Sequence, residues 1–221
     1  MAINDDFTRA NQTNLGAASV SGVSQGWSWS TGDVESGNST SINILSNQAA
    51  KETGSSSPCV VRAEIDASSS DNSCSINIVA RGITAGGIGP YCRLSSGAGP
   101  SGYLAYLLST SDTVQLYKNT GGTSFTQIGS DSAVTVSLPD DLKVEAIGTA
   151  IKSYYNGVQC VNASATDSGV TTGLRVGMRM DRSTDGARIV ASMVGDGFAS
   201  GVFSPYFYRQ HIAGGMHGES S

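Results

Sequence analysis

The chain's 221 residues suffice for one all-β domain with a real core, and 14% charged residues with 28 glycines among abundant Ser, Thr and Asn favour strands and turns over helices. A formal net charge of −5, with Lys and Arg scattered along the chain, excludes the basic footprint of a nucleic-acid binder. No stretch approaches the roughly 20 apolar residues of a membrane-crossing helix, and residues 1–20 lack the basic start and apolar centre of a leader, so neither a membrane nor a secretory route is expected.

Early in the chain, Trp27 and Trp29 alternate with Ser28 and Ser30, so both rings share one side of an extended segment, either as core packing or as a sugar-stacking platform. Across residues 60–67, Val61, Ala63 and Ile65 alternate with Arg62, Glu64 and Asp66, the period-two pattern of a half-buried strand. Ser68 to Ser73 reads as a turn. In the next strand Cys74, Ile76, Ile78 and Ala80 alternate with Ser75, Asn77, Val79 and Arg81, and the two strands are expected to pair as a hairpin. A turn over residues 82–89 leads to short strands at 91–95, 103–109 and 113–118; symmetric turns would place Cys59, Ala80 and Cys92 roughly opposite one another.

Residues 124–128 and 133–138 are further candidates, closed by Pro139, Asp140 and Asp141, and Leu142, Val144 and Ala146 then alternate with charged neighbours over 142–148. Residues 151–155, the dipeptide Asn156 and Gly157, and residues 158–163 fit a hairpin, because Asn and Gly tolerate the positive φ of a type I′ turn. Residues 174–180 and 187–193 supply two late strands, and no window shows helical spacing. At least ten strands without a helix predict a sandwich or barrel. The expected domain is 1–199. Residues 200–221 form a tail in which Phe203, Tyr206, Phe207 and Tyr208 surround Pro205, either covering a sheet edge or packing onto a neighbouring subunit.

The four cysteines, Cys59, Cys74, Cys92 and Cys160, allow three pairings and contain no Cys-x-x-Cys, so a zinc cluster is not expected. They read as buried free thiols or as disulfides formed after release from a reducing compartment.

Asp5, Asp6, Phe7, Thr8, Arg9 and Ala10, then Leu15 and Gly16, then Trp27, resemble the opening of concanavalin A-like (LamG-like) domains. The resemblance continues through the strand ending at Ala80 and Arg81, the strand led by Tyr91 and the hairpin at Tyr155, Asn156 and Gly157, covering most of residues 3–198. It implies a two-sheet antiparallel jelly-roll sandwich, a fold used by lectins, glucanases, secreted modules and structural or adhesive proteins of bacteriophages. Fold alone does not choose among these uses. A missing leader and a domain starting near Met1 point to the phage setting: a non-enzymatic virion protein of a capsid, collar, tail or fibre, made in the host cytoplasm and exposed after lysis. Its expected partners are other virion proteins, further copies of itself and cell-surface glycan.

The alternative is a carbohydrate-binding module that stacks sugars on Trp27, Trp29, Tyr91 and Tyr103. Catalysis has one hint, Glu64, Ile65 and Asp66, which resemble part of a glucanase strand motif. Its final glutamate is missing, because Ser68 and Ser69 stand where a second glutamate belongs. A structural calcium ion is the one cofactor expected, through Asp5 and Asp6 with Asp196. Sequons begin at Asn11, Asn38 and Asn162.

Overall fold

A computed structural model describes residues 5–7, 10–20, 23–30, 33–35, 42–51, 58–81, 86–181 and 186–190. Among these residues there are sixteen strands and no helix. In chain order the strands are β1 (Ala17–Val20), β2 (Val23–Ser28), β3 (Ile42–Leu45), β4 (Gln48–Lys51), β5 (Cys59–Arg62), β6 (Asn72–Ala80), β7 (Gly87–Leu94) and β8 (Ser101–Leu108). Then come β9 (Thr113–Thr120), β10 (Phe125–Gln127), β11 (Ser132–Ala133), β12 (Asp140–Ile147), β13 (Ala150–Tyr155), β14 (Val158–Thr166), β15 (Arg175–Met180) and β16 (Gly186–Val190).

Two antiparallel sheets face each other. Sheet I has the order β14-β13-β12-β6-β16-β4-β3, and sheet II the order β10-β9-β8-β7-β15-β5, with β11 also paired to β9. β1 and β2 make a separate ribbon. Period-two alternation builds the core: Ile76, Ile78, Leu142, Val144 and Ile151 come inward from sheet I, and Ile88, Leu107, Leu116, Val176 and Met178 meet them from sheet II. Each such side chain contributes about 1.5–3 kcal/mol when fully buried. Arg93 ties the loops at one end together. Its guanidinium donates to the carbonyls of Ser70 (2.7 Å), Gly148 (2.8 Å) and Val170 (3.2 Å) and pairs with Asp71.

The Asn156–Gly157 hairpin forms as expected, with Tyr155 opposite Val158 and φ of 48° and 79° at the two turn residues. Other expectations need correction. β5 and β6 lie in different sheets: β5 pairs with β15, while β6 lies between β12 and β16, so residues 63–71 cross the sandwich rather than make a hairpin turn. The register proposed for Cys59, Ala80 and Cys92 falls with it, since their partners are Met180, Gly186 and Tyr103. None of the four cysteines is disulfide-bonded; all are buried thiols, and burial pushes Cys74 up to about 12. Only Ser132 and Ala133 of the stretch reaching Leu138 join a ladder. Val134, Val136 and Leu138 nevertheless pack on the core from an extended segment. The expected tail from 200 lies outside the described residues.

Candidate functional site

The outer face of sheet II is unusual for a sandwich because it carries an apolar layer of its own. β7 is buried at every position and β8 at all but its ends, whereas a sheet with one wet face alternates. Val60, Tyr91, Leu94, Leu104 and Tyr106 form this second cluster, with Val34, Leu108, Tyr117 and Phe125 packed on its margin. The cover comes from the chain itself. Val34 donates to the Val60 carbonyl and accepts from Gly99, bringing the loop after β7 over the face.

At the β8–β10 end, alternation sends Val114 and Leu116 inward and Gln115 and Tyr117 outward. Tyr117 meets Tyr106 and Phe125 edge-on, both at 6.1 Å between ring centroids, a favoured arrangement for the ring quadrupoles. The Arg179 guanidinium lies 4.6 Å from the centroid of Phe125 and 5.9 Å from that of Tyr106. Beside these rings, the amides of Gln115 and Gln127 both donate to Asp131, at 2.9 and 2.7 Å, and the Tyr117 hydroxyl donates to Gln115 at 2.7 Å. Tyr117 and Phe125 are half-buried, while Gln127 and Asp131 are exposed.

Behind the rings, Arg179 holds both oxygens of Glu35 (2.7 and 3.0 Å) and one of Asp181 (2.7 Å), and Asp181 accepts from Tyr106. Glu35 has a side chain only 2% exposed. Burial raises it to about 7, outweighing the lowering by Arg179, and Asp33 and Asp181 push the same way as burial. Burial alone would lower Arg179, but Asp181 and Glu35 hold it above its ordinary value. The Tyr91 hydroxyl is fully buried without a partner in hydrogen-bond geometry.

Beyond β5, at that end of sheet II, lies a shallow concavity of about 390 Å³, lined by Ala17, Ser24, Gly26, Ser28, Glu64 and Ile65. Beside it Glu64 pairs with Arg62 (2.9 Å) and with Arg175, and Arg175 also holds Asp66 at 2.6 Å. β5 ends at Arg62, so Glu64 and Asp66 stand beyond the strand expected to carry them. Both carboxylates are engaged by guanidinium groups, which is not the acid and free second carboxylate that glycoside hydrolysis needs.

Of the four rings expected to stack sugars, three are interior. Trp29 is 2% exposed and donates its indole N–H to Asp5 at 2.8 Å; Tyr91 and Tyr103 are fully buried, and the Tyr103 hydroxyl donates to Asp167 at 2.7 Å. A buried ring offers no face to a ligand, so these assignments are corrected. Trp27 lies in β2, and its side chain falls outside the described residues, as do Asp196, Phe203, Tyr206, Phe207 and Tyr208. Asp5, one of the acids expected to ligate calcium, accepts from the Phe7 amide (3.0 Å) and from Trp29. Asp6 is half-buried, and no group of three His, Cys, Asp or Glu among the described residues could hold a metal. Tyr117, Phe125, Gln115 and Gln127 were missed, although Gln-x-Tyr and Phe-x-Gln each carry the period-two spacing of a strand's exposed face.

No protein-family model and no curated protein matches the chain. Among solved structures it is similar to the carbohydrate-binding module CBM66 from Bacillus subtilis, at 20% identity and a TM-score of 0.51, over 65% of this chain and 84% of that one. It is also similar to a Bacillus subtilis protein of unknown function with a galectin-like fold (11% identity, TM-score 0.53, 87% and 97% covered). A third is the exoplasmic/lumenal domain of VIP36 in its Ca2+/Man3GlcNAc-bound form (11%, TM-score 0.55, 81% and 86% covered). The chain therefore shares with these structures the fold of a two-sheet antiparallel jelly-roll sandwich.

Proposed function

We infer that the protein is a non-enzymatic carbohydrate-binding module that takes neutral glycans on the outer face of sheet II. The observation that carries this reading is the half-exposed pair Tyr117 and Phe125, fixed edge-to-face beside the Gln115–Asp131–Gln127 hydrogen-bond set. A flat ring takes the apolar face of a sugar, and planar amides and a carboxylate take the hydroxyls at its edge. Two neighbours on this fold are a carbohydrate-binding module and a Man3GlcNAc-bound lumenal domain, which supports the same reading. Acidic sugars are disfavoured: Asp131 is the charge at the rim, Arg179 is already shared between two carboxylates, and the chain's net charge is −5. The engagement of Glu64 and Asp66 by arginines supports binding over hydrolysis.

A glycan array probed with the wild-type chain and with Tyr117→Ala tests the reading. Neutral glycans are expected to retain the wild type and not the variant, at unchanged fold by circular dichroism. Equal retention of both proteins, or a preference for sialylated and uronic glycans, would overturn it.

A further inference from the structure

The geometry points to a second saccharide subsite at the β5 end of sheet II, in the concavity between the β1–β2 ribbon and Glu64. It holds one neutral, hydroxyl-rich sugar unit by hydrogen bonds alone. The inference rests on the carbohydrate reading above and adds a place and a binding mode that the aromatic patch does not provide.

The floor is built from Ala17, Ser24, Gly26 and Ser28, none with a side chain longer than a hydroxymethyl group, and this leaves a recess of about 390 Å³. That volume lies within the range of about 300–1,000 Å³ typical of small-molecule sites. β1 and β2 pair Ala17 directly with Ser28, and Ser24 lines the same recess beyond a shift in the ribbon's register. None of the described lining residues carries an aromatic ring, so the recognition assigned to them is hydrogen bonding.

The wall is rigid and polar. Glu64 is fixed by Arg62 through both Nε (3.0 Å) and a terminal nitrogen (2.9 Å) and by Arg175 on its second oxygen. Arg62 is itself clamped to the carbonyls of Ser95 (2.9 Å) and Gly97 (2.7 Å), and the Glu64 amide donates to Ser28 across the floor. Such a carboxylate costs little further ordering when a ligand hydroxyl donates to it. Two guanidinium groups and two carboxylates cancel in the cluster of Arg62, Arg175, Glu64 and Asp66, so nothing there selects an anion or a cation.

The two subsites are too far apart for one sugar ring. Four ladder steps separate β5 from β9 in sheet II, roughly 19 Å at about 4.8 Å per strand. A single sugar unit therefore occupies either site independently, and a longer saccharide chain is needed to engage both.

Amide chemical-shift mapping of the full chain with a panel of neutral methyl glycosides tests this, on the wild type, Ser28→Trp and Tyr117→Ala. Ser28 is exposed, so the new ring fills the recess without entering the core. Saturable shifts at Gly26, Ser28 and Glu64 are expected to survive Tyr117→Ala and to vanish in Ser28→Trp, while shifts at Phe125 and Gln127 do the reverse. A neutral oligosaccharide long enough to reach both sites should bind Ser28→Trp about tenfold more weakly than the wild type. Shifts confined to Phe125 and Gln127 would overturn the second subsite and leave the carbohydrate reading standing. No saturable shift with any glycoside would overturn both.

Discussion

The two outer faces of the sandwich are built on opposite plans. Sheet I alternates cleanly: Ser75 and Asn77 on β6, Lys143 and Glu145 on β12, and Lys152 and Tyr154 on β13 face outward while their neighbours enter the core. Its surface contacts are local, with Lys143 bonded to Glu145 at 2.6 Å and lying 5.1 Å from the Tyr154 ring centroid. Sheet II instead keeps an apolar layer, aromatic edges and a shared buried charge on its outer side. A sheet needs one apolar face to fold. The second one on sheet II, with its half-exposed rings, is the face to which the proposal assigns the ligand, and sheet I is the solvated reference.

Replacing Arg179 should break this contrast hardest. Arg179→Met leaves the buried Glu35 and the partly buried Asp181 without their cation, a loss of about 3–5 kcal/mol in denaturant unfolding. The pH dependence follows from the same cluster. Glu35 is raised from an ordinary 4.5 to about 7, so the fold keeps its proton where the unfolded chain has released it. That contribution is fully present below pH 4.5 and is lost as pH rises towards 7, at most about 3 kcal/mol in all. Melting temperatures at pH 5 and pH 8 should therefore differ less in Glu35→Gln than in the wild type; an equal difference would remove Glu35 as the cause. Asp5→Ala, which strips the acceptor from the buried Trp29 indole and the Phe7 amide, should cost about 1–3 kcal/mol whether or not calcium is present. Lys143→Ala on sheet I should change stability by no more than about 0.5 kcal/mol, since a partly exposed ion pair on a solvated face contributes little.

Sheet I was the more legible sheet because its alternation is clean: Leu142, Val144 and Ala146, and the Asn156–Gly157 turn, are local signals. The strands before residue 52 were not read as strands, because segments such as Ala17–Val20 and Gln48–Lys51 carry little apolar alternation and take their order from pairing partners. The serine-rich stretch after β5 reads equally well as a hairpin turn or as a crossing between sheets, and only the non-local pairing of β5 with β15 separates the two. The site was hidden for a related reason. Ring type pointed to Trp29, Tyr91 and Tyr103, but whether a ring meets solvent depends on which layer covers it. For Tyr91 that layer is on the outer face, where an isolated strand pattern would predict exposure.

The most direct measurement is calorimetric titration of one neutral oligosaccharide, chosen by its retention of the wild type, into Tyr117→Ala and Tyr154→Ala. These remove one half-buried tyrosine from each outer face. Affinity should fall about tenfold or more in Tyr117→Ala and stay at the wild-type value in Tyr154→Ala. Loss in Tyr154→Ala with Tyr117→Ala unchanged would place the ligand on sheet I and contradict the account.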